Sequence, residues 1–169
     1  MSIKNGAMIS QEKLKELAAS KESQNKKFFK RLKAKTPRDL DEKVHKLHTM
    51  AFSEIDCLDC AYCCKHLGPR ILEKDIERIS KYLKIKKDNF IQQYLRIDED
   101  GDYVFQSMPC PFLQADNYCS VYEARPKACR EYPHTDRRKF HQIFPLTIKN
   151  TITCPAVYEI VENLKKIYS

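Results

Sequence analysis

Apolar positions recur with a helical period over much of the chain and predict a mainly helical protein. The segment from about Ile9 to Lys35 carries a narrow apolar stripe among lysines, which predicts a long first helix. A second helix is predicted to begin at Thr36-Pro37, because a capping hydroxyl followed by proline at the first helical position favours a helix start. Its apolar residues share one face: Leu40, Val44, Leu47 and Ala51.

The middle and the end of the chain predict further helices and one hairpin. An amphipathic helix is predicted where apolar residues stand at i, i+4, i+7 and i+11, namely Leu72, Ile76, Ile79 and Leu83. Asp88 is predicted to cap a shorter helix, and the Asp-Gly turn between Leu95 and Phe105 predicts a β-hairpin. Later X-Pro steps are expected to hold the backbone out of helix. A last helix is predicted with Cys154 as its N-cap and Pro155 at its first position.

Composition narrows the class of protein. The chain has 169 residues, of which 42% are hydrophobic, so it can bury about one domain's core. Neither a secretory leader nor an apolar run approaching about 20 residues is found, so we expect a soluble, cytoplasmic protein with no transmembrane segment. The three glycines lie far apart, which excludes the Gly-rich loops of P-loop and Rossmann nucleotide sites.

Positive charge is concentrated in the N-terminal third. Of the net charge of +8, residues 1–50 contribute +7, with 13 Lys and Arg against 6 Asp and Glu. The basic residues Lys26, Lys27, Lys30, Arg31 and Lys33 surround Phe28 and Phe29. Such a run could follow nucleic-acid phosphates while the rings stack on bases, or it could lie on an acidic membrane surface. A solvated helix face is the plainer interpretation.

Cysteines carry the candidate chemistry. The chain has eight, at Cys57, Cys60, Cys63, Cys64, Cys110, Cys119, Cys129 and Cys154. In a reducing compartment a cysteine-rich pattern indicates metal binding more often than disulfides. Short C-x2-C loops bring two thiolates to one ion, and distant cysteines complete the site. All-cysteine zinc sites and iron–sulfur clusters both suit thiolate ligands, and the C-x2-C-x2-C run favours iron–sulfur slightly.

The spacing leaves the grouping of the ligands open. Adjacent residues point in different directions in a helix or strand, so Cys63 and Cys64 are expected to serve different ions, or one binds and the other packs. Eight thiolates could form two four-cysteine sites, one cluster with reserve cysteines, or a polynuclear centre. His66 could replace a thiolate, although a surface histidine is favoured, and His45 and His48 are expected to be solvated helix residues.

The motif Cys57-x2-Cys60-x2-Cys63-Cys64 resembles the CxxCxxCC family, which is described as zinc- or iron-chelating. Later segments are similar too: Cys110-Pro-Phe-Leu113, Cys119 to Pro126, Cys129-Arg-Glu-Tyr-Pro133 and Cys154. The resemblance implies metal or iron–sulfur binding by all eight cysteines. The same domain occurs in flagellin lysine methylases, which hints at methyl transfer on a protein substrate. Within the matching motifs, Arg125, Arg130 and Tyr132 are expected to support the metal ligands from just outside.

These observations combine into one architecture and two hypotheses of function. We predict an α+β, mainly α fold, with a basic helical extension over residues 1–50 and a metal-stapled cysteine-cluster domain over residues 51–169. The leading hypothesis is a cytoplasmic protein that coordinates zinc or iron, with a redox or protein-modifying role. The alternative is a structural zinc module that presents its basic arm to nucleic acid or a protein partner. Metal storage or delivery is a third possibility. No catalytic residues are identified.

Overall fold

Helices make up most of residues 9–169, the part of the chain that the computed structural model describes. The elements, in chain order, are α1 (Gln11–Ala34), α2 (Leu40–Glu54), α3 (Cys57–Cys60), α4 (Tyr62–His66), α5 (Glu73–Leu83), α6 (Lys87–Tyr94), β1 (Leu95–Ile97), β2 (Tyr103–Phe105), α7 (Lys127–Glu131), α8 (Phe144–Asn150) and α9 (Pro155–Ile167). The predicted mainly α, α+β class is confirmed. None of the helices within residues 9–169 has the length and apolar character that a membrane crossing requires.

The chain divides into two compact units. Unit 1 comprises Met1–Asp59 and Pro133–Ser169, and unit 2 is the continuous segment Cys60–Tyr132. The boundary at residue 50, drawn from the sequence, stays a prediction about domain organisation.

Unit 1 has a main core to which α1, α2, α8 and α9 all contribute, and a smaller buried cluster of Leu14, Ala18 and Tyr158. Its helices are amphipathic, and burial of their apolar faces supplies most of the driving force for packing. Phe28 and Phe29 of α1 are buried here, at 6% and 2% exposure. The carboxylate of Asp41 on α2 accepts hydrogen bonds from the backbone N–H groups of Lys139 and Phe140, which fixes the turn before α8. The buried residues of this core are Phe28, Phe29, Leu32, Leu40, Val44, Ala51, Phe140, Phe144, Ala156, Val157, Ile160, Val161 and Leu164.

Unit 2 has a separate core under α5, α6 and the hairpin. The strands β1 and β2 are antiparallel, with Leu95 opposite Phe105 and Ile97 opposite Tyr103. Gly101 closes the turn at φ +81°, a left-handed conformation that favours glycine. The predicted hairpin is therefore confirmed, with the Asp-Gly pair inside a longer turn. The buried residues of this core are Ile71, Ile76, Ile79, Phe90, Leu95, Phe105, Phe112, Val121 and Ala124.

Three local predictions are wrong. The helix expected from Thr36-Pro37 begins at Leu40 with Asp39 as its N-cap, and the Thr36 hydroxyl donates instead to the carbonyl of Lys33 at 3.5 Å. Asp88 lies inside the first turn of α6, whose N-cap is Lys86. The proline-rich region was expected to stay out of helix, yet Pro126 is followed by α7, since proline is tolerated at a helix start.

Candidate metal centre

Six of the eight cysteines belong to unit 2. They come from three parts of that segment: α4 and the residues just before it, the loop around Cys110 and Cys119, and α7. The six are Cys60, Cys63, Cys64, Cys110, Cys119 and Cys129. Each is partly buried.

The other two predicted ligands belong to unit 1. Cys57 is exposed at the start of α3. Cys154 is the N-cap of α9, as predicted, with Pro155 in the first turn. Its side chain packs against the core of unit 1. Their roles as ligands stay predictions from the sequence.

The sulfurs of Cys63 and Cys64 lie side by side. Ala61 adopts a left-handed conformation, with φ +49°, and starts the short helix α4 that carries both cysteines. Their two Sγ atoms are 3.9 Å apart. The expectation that adjacent cysteines point in different directions is therefore wrong for this pair. Two thiolates at about 2.3 Å from a tetrahedral zinc would be separated by about 3.8 Å, so the pair fits one edge of such a site.

Backbone contacts bring the later cysteines to α4. The N–H of Cys110 donates to the carbonyl of Cys64 at 2.8 Å. Leu113 and Cys119 form an antiparallel bridge, which folds the intervening loop back on itself. The segment from Cys110 to Cys119 is thus attached directly to the double-cysteine helix.

Backbone groups oppose the effect of burial at three of these sulfurs. Burial raises the pKa values of Cys60, Cys110 and Cys119, and hydrogen bonding by the backbone of Tyr62, Phe112 and Val121, respectively, lowers them. A hydrogen bond to a thiolate stabilises it over the thiol. Contacts of this kind also tune the properties of a bound metal.

Burial and mutual repulsion oppose ionisation of most of these thiols in the metal-free protein. Burial raises the pKa of Cys129 to about 12, and the neighbouring Cys110, Cys64 and Cys119 add to that increase. Burial likewise raises the pKa of Cys110 to about 11. A cation placed among these sulfurs would remove this repulsion, which is why thiolate clusters bind metal ions.

Cys64 differs from its neighbours. A hydrogen bond with Cys63 lowers the pKa of Cys64 to about 7, against the effect of burial, and Lys65 and Arg125 act in the same direction. Cys64 also interacts electrostatically with the thiols of Cys110, Cys119 and Cys129. Cys64 thus interacts with thiols from each of the other two parts of the cluster.

Arg125 has the position expected of a supporting cation. Burial raises the pKa values of Cys119 and Cys129, and the Arg125 guanidinium counteracts both increases. The guanidinium lies 3.7 Å from the centre of the Tyr122 ring and donates to the carbonyl of Tyr122. Arg130 is exposed on α7, and Tyr132 is partly buried at its end.

Histidines are engaged in other contacts. The Nδ1 atom of His66 is 3.1 Å from the carbonyl of Tyr62 in its own helix. In unit 1, His45 contacts the carbonyl of Arg137 and His48 contacts the Thr135 hydroxyl, so neither is simply solvated. Within residues 9–169, no three His, Cys, Asp or Glu side chains converge closely enough to hold an ion.

A charged pair on α5, Asp75 and Arg78, was not predicted from the sequence. Asp75 is 1% exposed and forms an ion pair with Arg78, which lies one helical turn later. Arg78 in turn donates to the carbonyls of Ala124 and Arg125. An i, i+3 pair of opposite charges is common on exposed helix faces, so the spacing alone gives no signal of burial.

Comparison with known proteins gives a family match over the cysteine-rich region. A family model named CxxCxxCC, described as "Putative zinc- or iron-chelating domain", matches residues 56–153, more than half of the chain. An uncharacterized protein of Methanocaldococcus jannaschii is 32% identical over 82 residues, which cover 47% of this chain and 44% of that protein. The chain thus spans less than half the length of that relative. No solved structure matches the chain.

Proposed function

The chain belongs to the CxxCxxCC family of zinc- or iron-chelating domains, and we propose that unit 2 is its metal-binding module, with Cys60, Cys63, Cys64, Cys110, Cys119 and Cys129 as the ligand set. The observation that carries the proposal is the 3.9 Å separation of the Cys63 and Cys64 sulfurs. Around this pair, the thiols of Cys110, Cys119 and Cys129 interact with one another and with Cys64.

Metal binding requires side-chain movement as well as proton release. No third donor within residues 9–169 converges with the Cys63–Cys64 pair closely enough to hold an ion, so binding would require the remaining sulfurs to move toward it. The buried thiols must lose their protons, so metal binding and deprotonation are coupled. When bound, the metal would staple α4, the Cys110–Cys119 loop and α7 into one unit.

Elemental analysis tests this proposal. Untagged protein purified without oxygen should retain at least one zinc or iron per chain after dialysis. Iron with acid-labile sulfide would identify the cluster that the sequence spacing favours, whereas zinc alone would identify tetrahedral thiolate sites. Protein that is isolated without metal and binds neither added zinc nor added iron would contradict the proposal.

A second function is supported by the outer face of α1. Lys27, Lys30 and Lys33 are exposed along this helix, and no acidic residue lies between Glu22 and Asp39. We propose that these cations contact the phosphates of single-stranded nucleic acid. Base stacking by Phe28 and Phe29 is ruled out as an accompanying contact, because both rings are buried in the core of unit 1.

We expect the triple variant Lys27→Gln, Lys30→Gln, Lys33→Gln to weaken binding of a single-stranded oligonucleotide. Each lost phosphate contact should reduce the slope of log K against log salt by about 0.7, so the slope should fall by about 2. Fluorescence anisotropy across a salt series measures this slope. The matched control removes three exposed lysines from unit 2, at Lys81, Lys84 and Lys86. Equal losses in the two triple variants would show that only net charge matters.

A further inference from the structure

The carboxylate of Asp75 is buried, and both of its oxygens accept hydrogen bonds. Its residue is 1% exposed, an unusual burial for aspartate. Its Oδ2 accepts the N–H of Leu72 at 3.0 Å. Its Oδ1 accepts from Arg78 Nη2 at 2.5 Å and from the N–H of Lys127 at 3.0 Å. Lys127 begins α7, the helix that carries Cys129, so Asp75 satisfies an N–H that the helix itself leaves unpaired.

Arg78 extends this contact to the preceding residues. Its Nε donates to the carbonyl of Ala124 at 3.2 Å, and its Nη2 donates to the carbonyl of Arg125 at 2.8 Å. Together the two side chains form hydrogen bonds with three main-chain groups: the carbonyls of Ala124 and Arg125 and the N–H of Lys127. All of these contacts lie within unit 2.

The segment that is held presents groups belonging to the metal centre. Arg125 directs its guanidinium against the Tyr122 ring and toward the thiols of Cys119 and Cys129. Cys129 follows two residues after Lys127 on α7. A shift of residues 124–127 would therefore move a ligand and the supporting cation together.

We propose that Asp75 and Arg78 are positioning residues for the metal centre: the buried Asp75 carboxylate and the partly exposed Arg78 guanidinium set the placement of Arg125 and Cys129. The inference rests on the proposed metal binding by unit 2. Loss of Arg78 leaves the buried Asp75 carboxylate without its counter-charge, and loss of either side chain frees the main-chain groups that it held. The expected consequence is a looser ligand set, in addition to a less stable unit.

The experiment compares Asp75→Asn with two matched variants. Asp98→Asn makes the same chemical change in the hairpin turn, where the Asp98 carboxylate accepts hydrogen bonds from the backbone N–H groups of Asp100 and Asp102. Phe90→Leu destabilises the core of unit 2 without touching the pair's hydrogen bonds. Zinc affinity is measured by competition with a chromophoric chelator. The visible absorption of the cobalt(II)-substituted protein at saturation reports the ligand geometry.

Asp75→Asn should weaken zinc binding by about 10- to 100-fold, as loss of a supporting contact typically does. It should also change the cobalt absorption bands. Asp98→Asn should retain the wild-type affinity, and Phe90→Leu should lower thermal stability while keeping the wild-type cobalt spectrum. If Asp75→Asn does not fold, Arg78→Lys is measured in its place, because lysine keeps the charge but cannot reach both carbonyls as a fork.

Two outcomes would overturn the inference separately from the proposed function. The first is an unchanged cobalt spectrum in the Asp75 or Arg78 variant. The second is a loss of zinc affinity no greater than that of Phe90→Leu at equal loss of apo-protein stability. Failure of the wild-type protein to bind zinc or cobalt would instead contradict the proposed function and the inference together.

Discussion

Cys64→Ser should abolish stable metal binding by unit 2. Cys64 contacts Cys63 at 3.9 Å, and its charge acts on Cys110, Cys119 and Cys129. A serine hydroxyl is a poor ligand for zinc or iron compared with thiolate. We expect metal affinity to fall by more than about 100-fold, which exceeds the usual effect of losing a contact outside the ligands. Metal content after dialysis and chelator competition measure the change.

Cys57→Ser and Cys154→Ser make the same substitution at the two cysteines outside the proposed six-ligand set. If the six ligands suffice, each variant should retain its metal, whereas loss of metal in either variant would add that cysteine to the ligand set, as the sequence predicts. Retention of the full metal content by Cys64→Ser would contradict the proposed ligand set.

Phe112→Ala should destabilise unit 2 by about 3–5 kcal/mol, the usual cost of removing a buried aromatic side chain. The Phe112 ring is 4% exposed and lies between Phe90, Tyr94 and Phe105, with centroid distances of 5.0–6.3 Å. The free energy of opening of residues 60–132, measured by hydrogen exchange in metal-free protein, should therefore fall by this amount.

Two controls separate packing from other effects of the Phe112 substitution. Phe112→Leu keeps most of the apolar volume and should cost less, because the remaining cavity is smaller. Tyr82→Ala removes an aromatic ring that is 48% exposed on α5, and it should change stability by about 0.5 kcal/mol or less. A Phe112→Ala protein as stable as Tyr82→Ala would show that the aromatic cluster is not the core of unit 2.

Helices with a long apolar period were predictable from the sequence, and their ends were less so. The face of α2 made by Leu40, Val44 and Ala51 is buried as expected, because burial depends on a repeated pattern. The predicted start of α2 rested on a single capping hydroxyl, whereas Asp39 is the N-cap and Thr36 donates to the carbonyl of Lys33. A boundary inferred from one side chain thus missed the N-cap by three residues.

The candidate site was predictable in its residue types but not in its grouping. The cysteine spacing and the matching motifs predicted a metal-binding cysteine cluster, which agrees with the family description, because metal-ligand loops are local in sequence. Which of the eight cysteines lie in unit 2 depends on how residues 60–132 fold as a unit, which local spacing does not encode. Asp75 was missed for a similar reason, since its partners at Ala124, Arg125 and Lys127 are distant along the chain.

The placement of unit 2 inside the sequence of unit 1 imposes an order on synthesis at the ribosome. Unit 2 is complete once Tyr132 has been made, whereas unit 1 still lacks α8 and α9. At roughly 5–20 residues per second, that interval lasts a few seconds, and domains generally fold as units while the chain is growing. All six cysteines of unit 2 are therefore synthesised before α8 and α9, which complete the core of unit 1. During the same interval Phe28 and Phe29 lack the parts of their core that α8 and α9 supply.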